Sequence, residues 1–196
     1  MIPAERFIAN KALDFDGWLA ARRSGVTATQ VAKASTAKGF RECVESWHSD
    51  EVIPDNAYMA FGRESEPWIA MWLKDRFGIM PNEWLIAHSE HTNHLATPDG
   101  VSLDHLVISE IKTTGQDWEP DKIPVQYRRQ VQWQLHVTGA EYCVFAWIRR
   151  LEVDGSFVTA DFEPRVIHIQ RDETTIEKLC VTAGQLWHET GGGENA

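Results

Sequence analysis

Glu110 and Lys112 stand two residues apart in DHLVISEIKTT (104–114), where Val107, Ile108 and Ile111 read as a strand. Side chains alternate along a strand, so this carboxylate and this ammonium share one face. Two kinds of chemistry fit. One is an ion pair on a solvated sheet face. The other is a catalytic face. In that case Asp99, which follows Pro98 in ATPDG, would be carried to Glu110 by a hairpin turned at Asp99-Gly100. Two carboxylates and a backbone carbonyl form a hard oxygen set that suits Mg²⁺. Lys112 would then orient a water and neutralise charge on a phosphoryl oxygen. The Glu-x-Lys spacing by itself is matched as well or better by the ion pair, so the elements around it must decide.

Upstream, Asp14 or Asp16 can cap a helix through Trp18 and Arg22, and Thr27 can cap a second through Val31. A third helical stretch surrounds 41–47. Residues 57–78 are helical in period, with Trp68, Met71, Trp72 and Phe77 on one side and interruptions expected at Gly62 and Pro67. Glu66 lies in this segment. WLIAH and HLATP then read as short strands. VQYRRQVQWQLHVTG (125–139) reads as a helix stopped by Gly139. On it Tyr127, Gln130 and Gln134 share a face that adjoins apolar Val131 and Leu135. A polar row turned toward a core needs partners, and an active site supplies them. Strands at 141–150 and 162–170, with a turn at Asp154-Gly155, precede a last helix. Its capping box is expected at Thr174 and Glu177. The pattern predicts a central mixed β-sheet flanked by α-helices, in one domain over 1–190 with a flexible tail over 191–196.

Pro98-Asp99 followed by Glu110-Ile111-Lys112 resembles the PD-(D/E)XK nuclease signature. Arg22 with GVTAT (25–29), FGRESEPW (61–68), ATPDG (96–100) and YRRQVQWQ (127–134) resemble, in order, the branch containing phage lambda exonuclease and the YqaJ-type viral recombinases. The resemblance covers residues 15–140 and implies a restriction-endonuclease-like fold. It implies a Mg²⁺ enzyme (Mn²⁺ substituting) that digests one strand of duplex DNA from its 5′ end, releasing 5′-mononucleotides and leaving a 3′ overhang. Asp99, Glu110 and the Ile111 carbonyl would hold the metal, with Glu66 assisting there or through a water. Lys112 and Gln130 would position the attacking water. Arg22, Thr29 and Thr97 would bind the 5′-phosphate, with Arg23 the alternative to Arg22 and Tyr127 shaping the pocket. Met59 falls at the position of a strand-separating wedge, although a single apolar residue on a helix is also ordinary core. The implied partners are double-stranded DNA ends, two further copies in a toroidal homotrimer, and a phage single-strand annealing protein. The implied compartment is the bacterial cytosol. Two alternatives stay open: a structure- or site-specific endonuclease on the same fold, and a non-catalytic DNA-end-binding protein.

Composition limits the other classes. No apolar run reaches membrane-spanning length, and the start of the chain lacks a signal peptide's apolar core. Cys43, Cys143 and Cys180 are odd in number and scattered, which fits a reducing compartment. Net charge is −10, which alone disfavours nucleic acid. Yet residues 17–41 carry Arg22, Arg23, Lys33, Lys38 and Arg41 without an acid. Such a window is a basic surface or a phosphate-binding patch. His88, His91 and His94 in HSEHTNH are spaced by three, which does not align ligands on a strand, so a solvent loop is expected rather than zinc. Trp68, Trp72, Trp133 and Trp147 read as core. Trp118, in a loop, is the candidate for a DNA or subunit contact.

Overall fold

The computed structural model describes residues 1–47, 49 and 54–192. Of the expected tail, residues 193–196 lie outside the described residues. In chain order the elements are β1 (Phe7–Asn10), α1 (Phe15–Arg22), β2 (Val26–Thr27), α2 (Ala28–Ala34), α3 (Ala37–Trp47), α4 (Ala57–Phe77), β3 (Ile79–Pro81), β4 (Trp84–Ala87), β5 (His94–Ala96), β6 (Gly100–Ser102), β7 (Val107–Thr114), α5 (Val125–Thr138), β8 (Tyr142–Val153), β9 (Ser156–Thr159), β10 (Arg165–Gln170) and α6 (Glu173–Glu189). Among the described residues no helix is long and apolar enough to cross a membrane.

Two sheets form. The larger runs β10-β8-β7-β6-β3 with β9 paired to β8, and it is mixed: β7 and β8 are parallel and the other pairings antiparallel. Parallel neighbours need a crossover, and α5 supplies it. The expected mixed sheet flanked by helices is therefore present. A second sheet, β1-β4-β5-β2, was not foreseen, because two of its strands span only two and three residues. The chain passes from the small sheet to the large one through Thr97, Pro98 and Asp99.

Strand β7 lies between two helices. Ile108 on one face joins the core of Val131, Trp133, Leu135, Phe145 and Trp147. Ile111 on the other face packs with Phe61, Ile69, Leu73 and Ile148. The α4 residues Phe61, Ser65, Ile69 and Leu73 are spaced by four and all buried, a stripe that anchors the helix on both sides of Pro67. That stripe explains why α4 runs unbroken from Ala57 to Phe77 where an interruption was expected. An interior proline costs about 3 kcal/mol, less than the packing on either side supplies. Asn56 caps α4 by accepting from the Met59 amide, and Gly78, at φ 68°, ends it.

Other details correct the sequence reading. Asp14 and Thr27 are the caps of α1 and α2, but α6 is capped by Asp172, which accepts from the Thr175 amide, rather than by Thr174. Trp68 lies beside the α4 stripe and is 38% exposed. Trp118 is buried, its indole N–H on Gln116 and its ring 5.5 Å from Tyr127, so it is not a surface contact. Met59 is exposed rather than core. Lys33 and Lys38 both reach Glu42, which offsets part of the basic window.

Candidate active site

The hairpin that joins the two acids is β6–β7, turned over residues 103–106, and Asp99-Gly100 opens its first strand rather than forming its turn. Gly100 lies opposite Ser109, and a side chain at 100 would collide with Ser109 Oγ and lie 2.8 Å from Ile79 Cγ2. Only glycine lets the strands approach this closely. Immediately before it, the Asp99 amide donates to Ser109 O at 3.0 Å. The Ile111 amide donates to Asp99 Oδ2 at 2.6 Å, pinning the aspartate against β7.

Glu110 is almost wholly buried, at 1% exposure, and its charge is met from two elements. Lys112, one strand repeat along, donates to Oε1. From α5, Gln130 Nε2 donates to Oε1 at 2.5 Å and Gln134 Nε2 to Oε2 at 2.6 Å. The polar row on α5 thus has its partner. The i, i+4 spacing places both amides over one carboxylate. Tyr127, on the same helix, packs on Trp118 and Phe145 and lies under the Lys112 ammonium at 5.4 Å.

Electrostatics are crowded. Burial, reinforced by Glu110, holds the Asp99 carboxyl well above the usual aspartate range, against the pull of Lys112. Burial opposes the charge of Lys112, but Glu110 and Asp99 carry its ammonium above the ordinary lysine range. Glu66, half-buried on α4, is raised by burial, with Lys11 opposing and Glu83 and Glu110 adding. Glu66 and Asp99 line one cleft of about 390 Å³ with Lys11, Arg63, Asn82 and Glu83.

Asp99, Glu110 and Glu66 outnumber Lys112. The uncompensated negative charge and the hard oxygens of these acids and of the Ile111 carbonyl fit a divalent cation such as Mg²⁺. A site of this kind could hold a cation and present an ammonium and an amide to whatever lies against it.

Arg22 lies on α1. It stacks over Trp18 at 4.5 Å and is lowered from the usual arginine range by burial. It opens into a cleft of about 180 Å³ shared with Leu19, Arg23, Thr27 and Gln30. Thr29 is exposed on α2 and Thr97 follows β5; neither is among the residues lining that cleft. Among the described residues, Thr97 Oγ1 is buried without a hydrogen-bond partner, as is Gln134 Oε1.

The histidine segment is a loop, with Ser89, Glu90, His91 and Thr92 exposed as expected, but its ends turn inward: His88 is half-buried and His94 is buried. A tight turn, with the His94 amide on His91 O and the His88 amide on His94 O, folds the segment back. His94 is buried, and the His88 ring stacks on His136 at 4.4 Å. Spacing within HSEHTNH could not have shown this, because the completing residues, His136 and Cys180, lie on α5 and α6.

Residues 17–141 match the model of the YqaJ-like viral recombinase domain. The chain is 26% identical over 199 residues to the uncharacterized protein YqaJ of Bacillus subtilis strain 168, an alignment covering 95% of this chain and 59% of that protein. It therefore spans less than two thirds of the length of this relative. Among solved structures it is similar to an alkaline exonuclease, LHK-Exo, from Laribacter hongkongensis, with a TM-score of 0.69, 25% identity, and 89% of this chain and 91% of that one covered. A phage-related exonuclease from Haemophilus somnus 129PT shares the fold at a TM-score of 0.64 and 13% identity, over 85% and 93% of the two chains. The architecture is PD-(D/E)XK-like, with mixed sheets flanked by helices.

Proposed function

Because the chain belongs to the YqaJ-like viral recombinase family, we propose that it is a Mg²⁺-dependent exonuclease that degrades one strand of linear duplex DNA from the 5′ end. The product would be a 3′ single strand for annealing recombination, with residues 1–190 acting as one nuclease domain. The observation that carries this reading is the buried Glu110 carboxylate, bonded by Lys112 and Gln130 and facing Asp99 across the β6–β7 hairpin. A solvated ion pair has no reason to be buried, or to recruit two glutamines from a crossover helix. The likeness to an alkaline exonuclease over most of both chains supports the same class of chemistry.

In this proposal Asp99, Glu110 and the Ile111 carbonyl hold the cation, with Glu66 beside them. When bound, the cation supplies Lewis acidity to a phosphoryl oxygen and lowers the pKa of water. Lys112 and Gln130 fix the attacking water, and the ammonium stabilises charge that develops as the phosphodiester breaks. Arg22, aided by Thr29 and the unpartnered Thr97 hydroxyl, receives the terminal phosphate; Arg23 is the alternative arginine. Mn²⁺ would substitute for Mg²⁺. A toroidal homotrimer would put the basic residues in a channel and the acidic excess outside. A single-strand annealing protein would receive the product in the host cytosol.

Linear duplexes labelled at the 5′ or 3′ end, with and without Mg²⁺, test this directly. Loss of the 5′ label as mononucleotide, dependent on Mg²⁺ and absent on closed circles, is expected. Cutting of closed circles would indicate an endonuclease. End binding without hydrolysis would indicate a non-catalytic protein.

A further inference from the structure

Away from the carboxylates, three elements bring nitrogen and sulfur atoms to one point. His94 opens β5, His136 lies near the end of α5 and Cys180 lies in α6. His94 Nδ1 and His136 Nε2 are 3.0 Å apart, and His136 Nε2 and Cys180 Sγ 3.6 Å. The three ligand atoms all lie within 4.8 Å of one another. Around tetrahedral zinc, with bonds of roughly 2.0 Å to nitrogen and 2.3 Å to sulfur, ligand edges measure about 3.3 Å (N···N) and 3.5 Å (N···S). The 3.0 Å and 3.6 Å edges here are close to these.

Hydrogen bonding accounts for the cluster incompletely. An imidazole nitrogen carries either one proton or one in-plane lone pair. His136 Nε2 faces both His94 Nδ1 and Cys180 Sγ, so whichever it has can serve one neighbour well and not both. A cation between the three would take a lone pair from each. The neighbours sort into wall and opening. His88 Nδ1 already accepts the Glu90 and His91 amides at 3.1 and 3.2 Å, so its ring, stacked on His136, is a wall rather than a ligand. His91 is exposed, with its ring 4.8 Å from that of His94, at the open side. The flanking arginines are turned away onto carbonyls, Arg6 onto Ala87 and Val137 and Arg171 onto Leu135.

We propose that His94, His136 and Cys180 form a binding site for a borderline-soft divalent cation of the zinc type, with His91 or water in the fourth position. Two imidazole lone pairs and one thiolate form the bonds, and the Cys180 thiol proton leaves to solvent. The bound ion ties the β4–β5 turn to α5 and α6. Nitrogen and sulfur select against Mg²⁺ just as the oxygens around Glu110 select for it, so the two sites are chemically separate. The proposal does not depend on the nuclease reading.

The test uses the full chain, stripped with chelator, dialysed and titrated with Co²⁺, then Zn²⁺. Wild type and Asp99→Ala should both show a near-ultraviolet thiolate-to-cobalt band and visible bands that one equivalent of Zn²⁺ removes. Cys180→Ser, a small change at a half-buried position, should lose the near-ultraviolet band and bind Zn²⁺ at least tenfold more weakly, with its circular dichroism unchanged. His136→Gln should weaken binding similarly. If it does not fold, Cys180→Ser decides alone. Absence of the band in wild type, its persistence in Cys180→Ser, or loss of zinc binding in Asp99→Ala would each overturn the proposal.

Discussion

Replacing Lys112 by methionine keeps an unbranched chain and removes one charge. Glu110 then keeps its two glutamine amides but loses its cation, with Asp99 and Glu66 still beside it. Lys112 is only 22% exposed and Glu110 2% at the side chain, so solvent screens the pair weakly. Removing one partner of a buried ion pair costs roughly 3–5 kcal/mol. In chelator the variant should therefore be about 3–5 kcal/mol less stable than wild type, a melting point lower by roughly 6–20 °C for a chain of this length. Millimolar Mg²⁺ should narrow this gap at pH 7, because a divalent cation replaces the missing charge. Turnover should still fall about 10²–10³-fold, since the ammonium acts on charge that develops during the reaction. Melting curves in chelator and in Mg²⁺, with a turnover assay, measure all of this. A variant as stable as wild type in chelator, or a gap that Mg²⁺ leaves unchanged, would refute the charge balance described for this site.

Asp99→Asn should abolish Mg²⁺-dependent turnover while stabilising the chain in chelator. The raised aspartate favours the protonated fold, so wild type loses stability as pH rises from about 4 through its elevated range. Asparagine removes that loss, and the advantage in denaturant titrations should grow from pH 5 to pH 8. Gln134→Leu removes one charge-assisted hydrogen bond of about 1.5–3 kcal/mol and one unpartnered buried oxygen that costs about 1–3 kcal/mol. Its stability should stay within about 1 kcal/mol of wild type, and a larger loss would mean Glu110 depends on that amide. Arg22→Ala should shrink the preference for 5′-phosphorylated over 5′-hydroxyl duplex in single-turnover digestion, a contact of roughly 1.5–3 kcal/mol. Arg23→Ala should leave the preference intact, and the reverse pattern would reassign the phosphate contact. Sedimentation should show a closed trimer, and a monomer that digests long duplexes processively would contradict the ring.

Legibility followed the range of the physics. Elements fixed by local chemistry could be read: the Asp14 and Thr27 caps, the Gly139 stop and the alternation that puts Glu110 beside Lys112. The polar row Gln130–Gln134 was visible as an oddity on a core-facing helix, and Glu110 explains it. Where tertiary packing overruled a local preference, the sequence misled. Pro67 stayed inside a helix because a buried stripe holds both flanks. Trp118 folded inward and Trp68 outward because burial depends on the face presented, not on the neighbourhood in sequence. The histidine cluster was illegible because its members come from a short strand and two helices with no common period.

Asp99 and Glu110 are neighbours in the chain as well as in space, joined by one short hairpin. Glu110 meets Phe145 only through the parallel pairing that requires all of α5 as a crossover. Hairpins close in microseconds, whereas non-local pairings come later. Topology thus predicts an order of assembly in which two carboxylates converge before α5 delivers Gln130 and Gln134. The early hairpin carries like charges with Lys112 alone from its own strand to offset them. A divalent cation present while the chain refolds should speed the folding limb, and Asp99→Asn should make that limb indifferent to the cation. The ion that suits the finished site would then also be the one that eases the making of it.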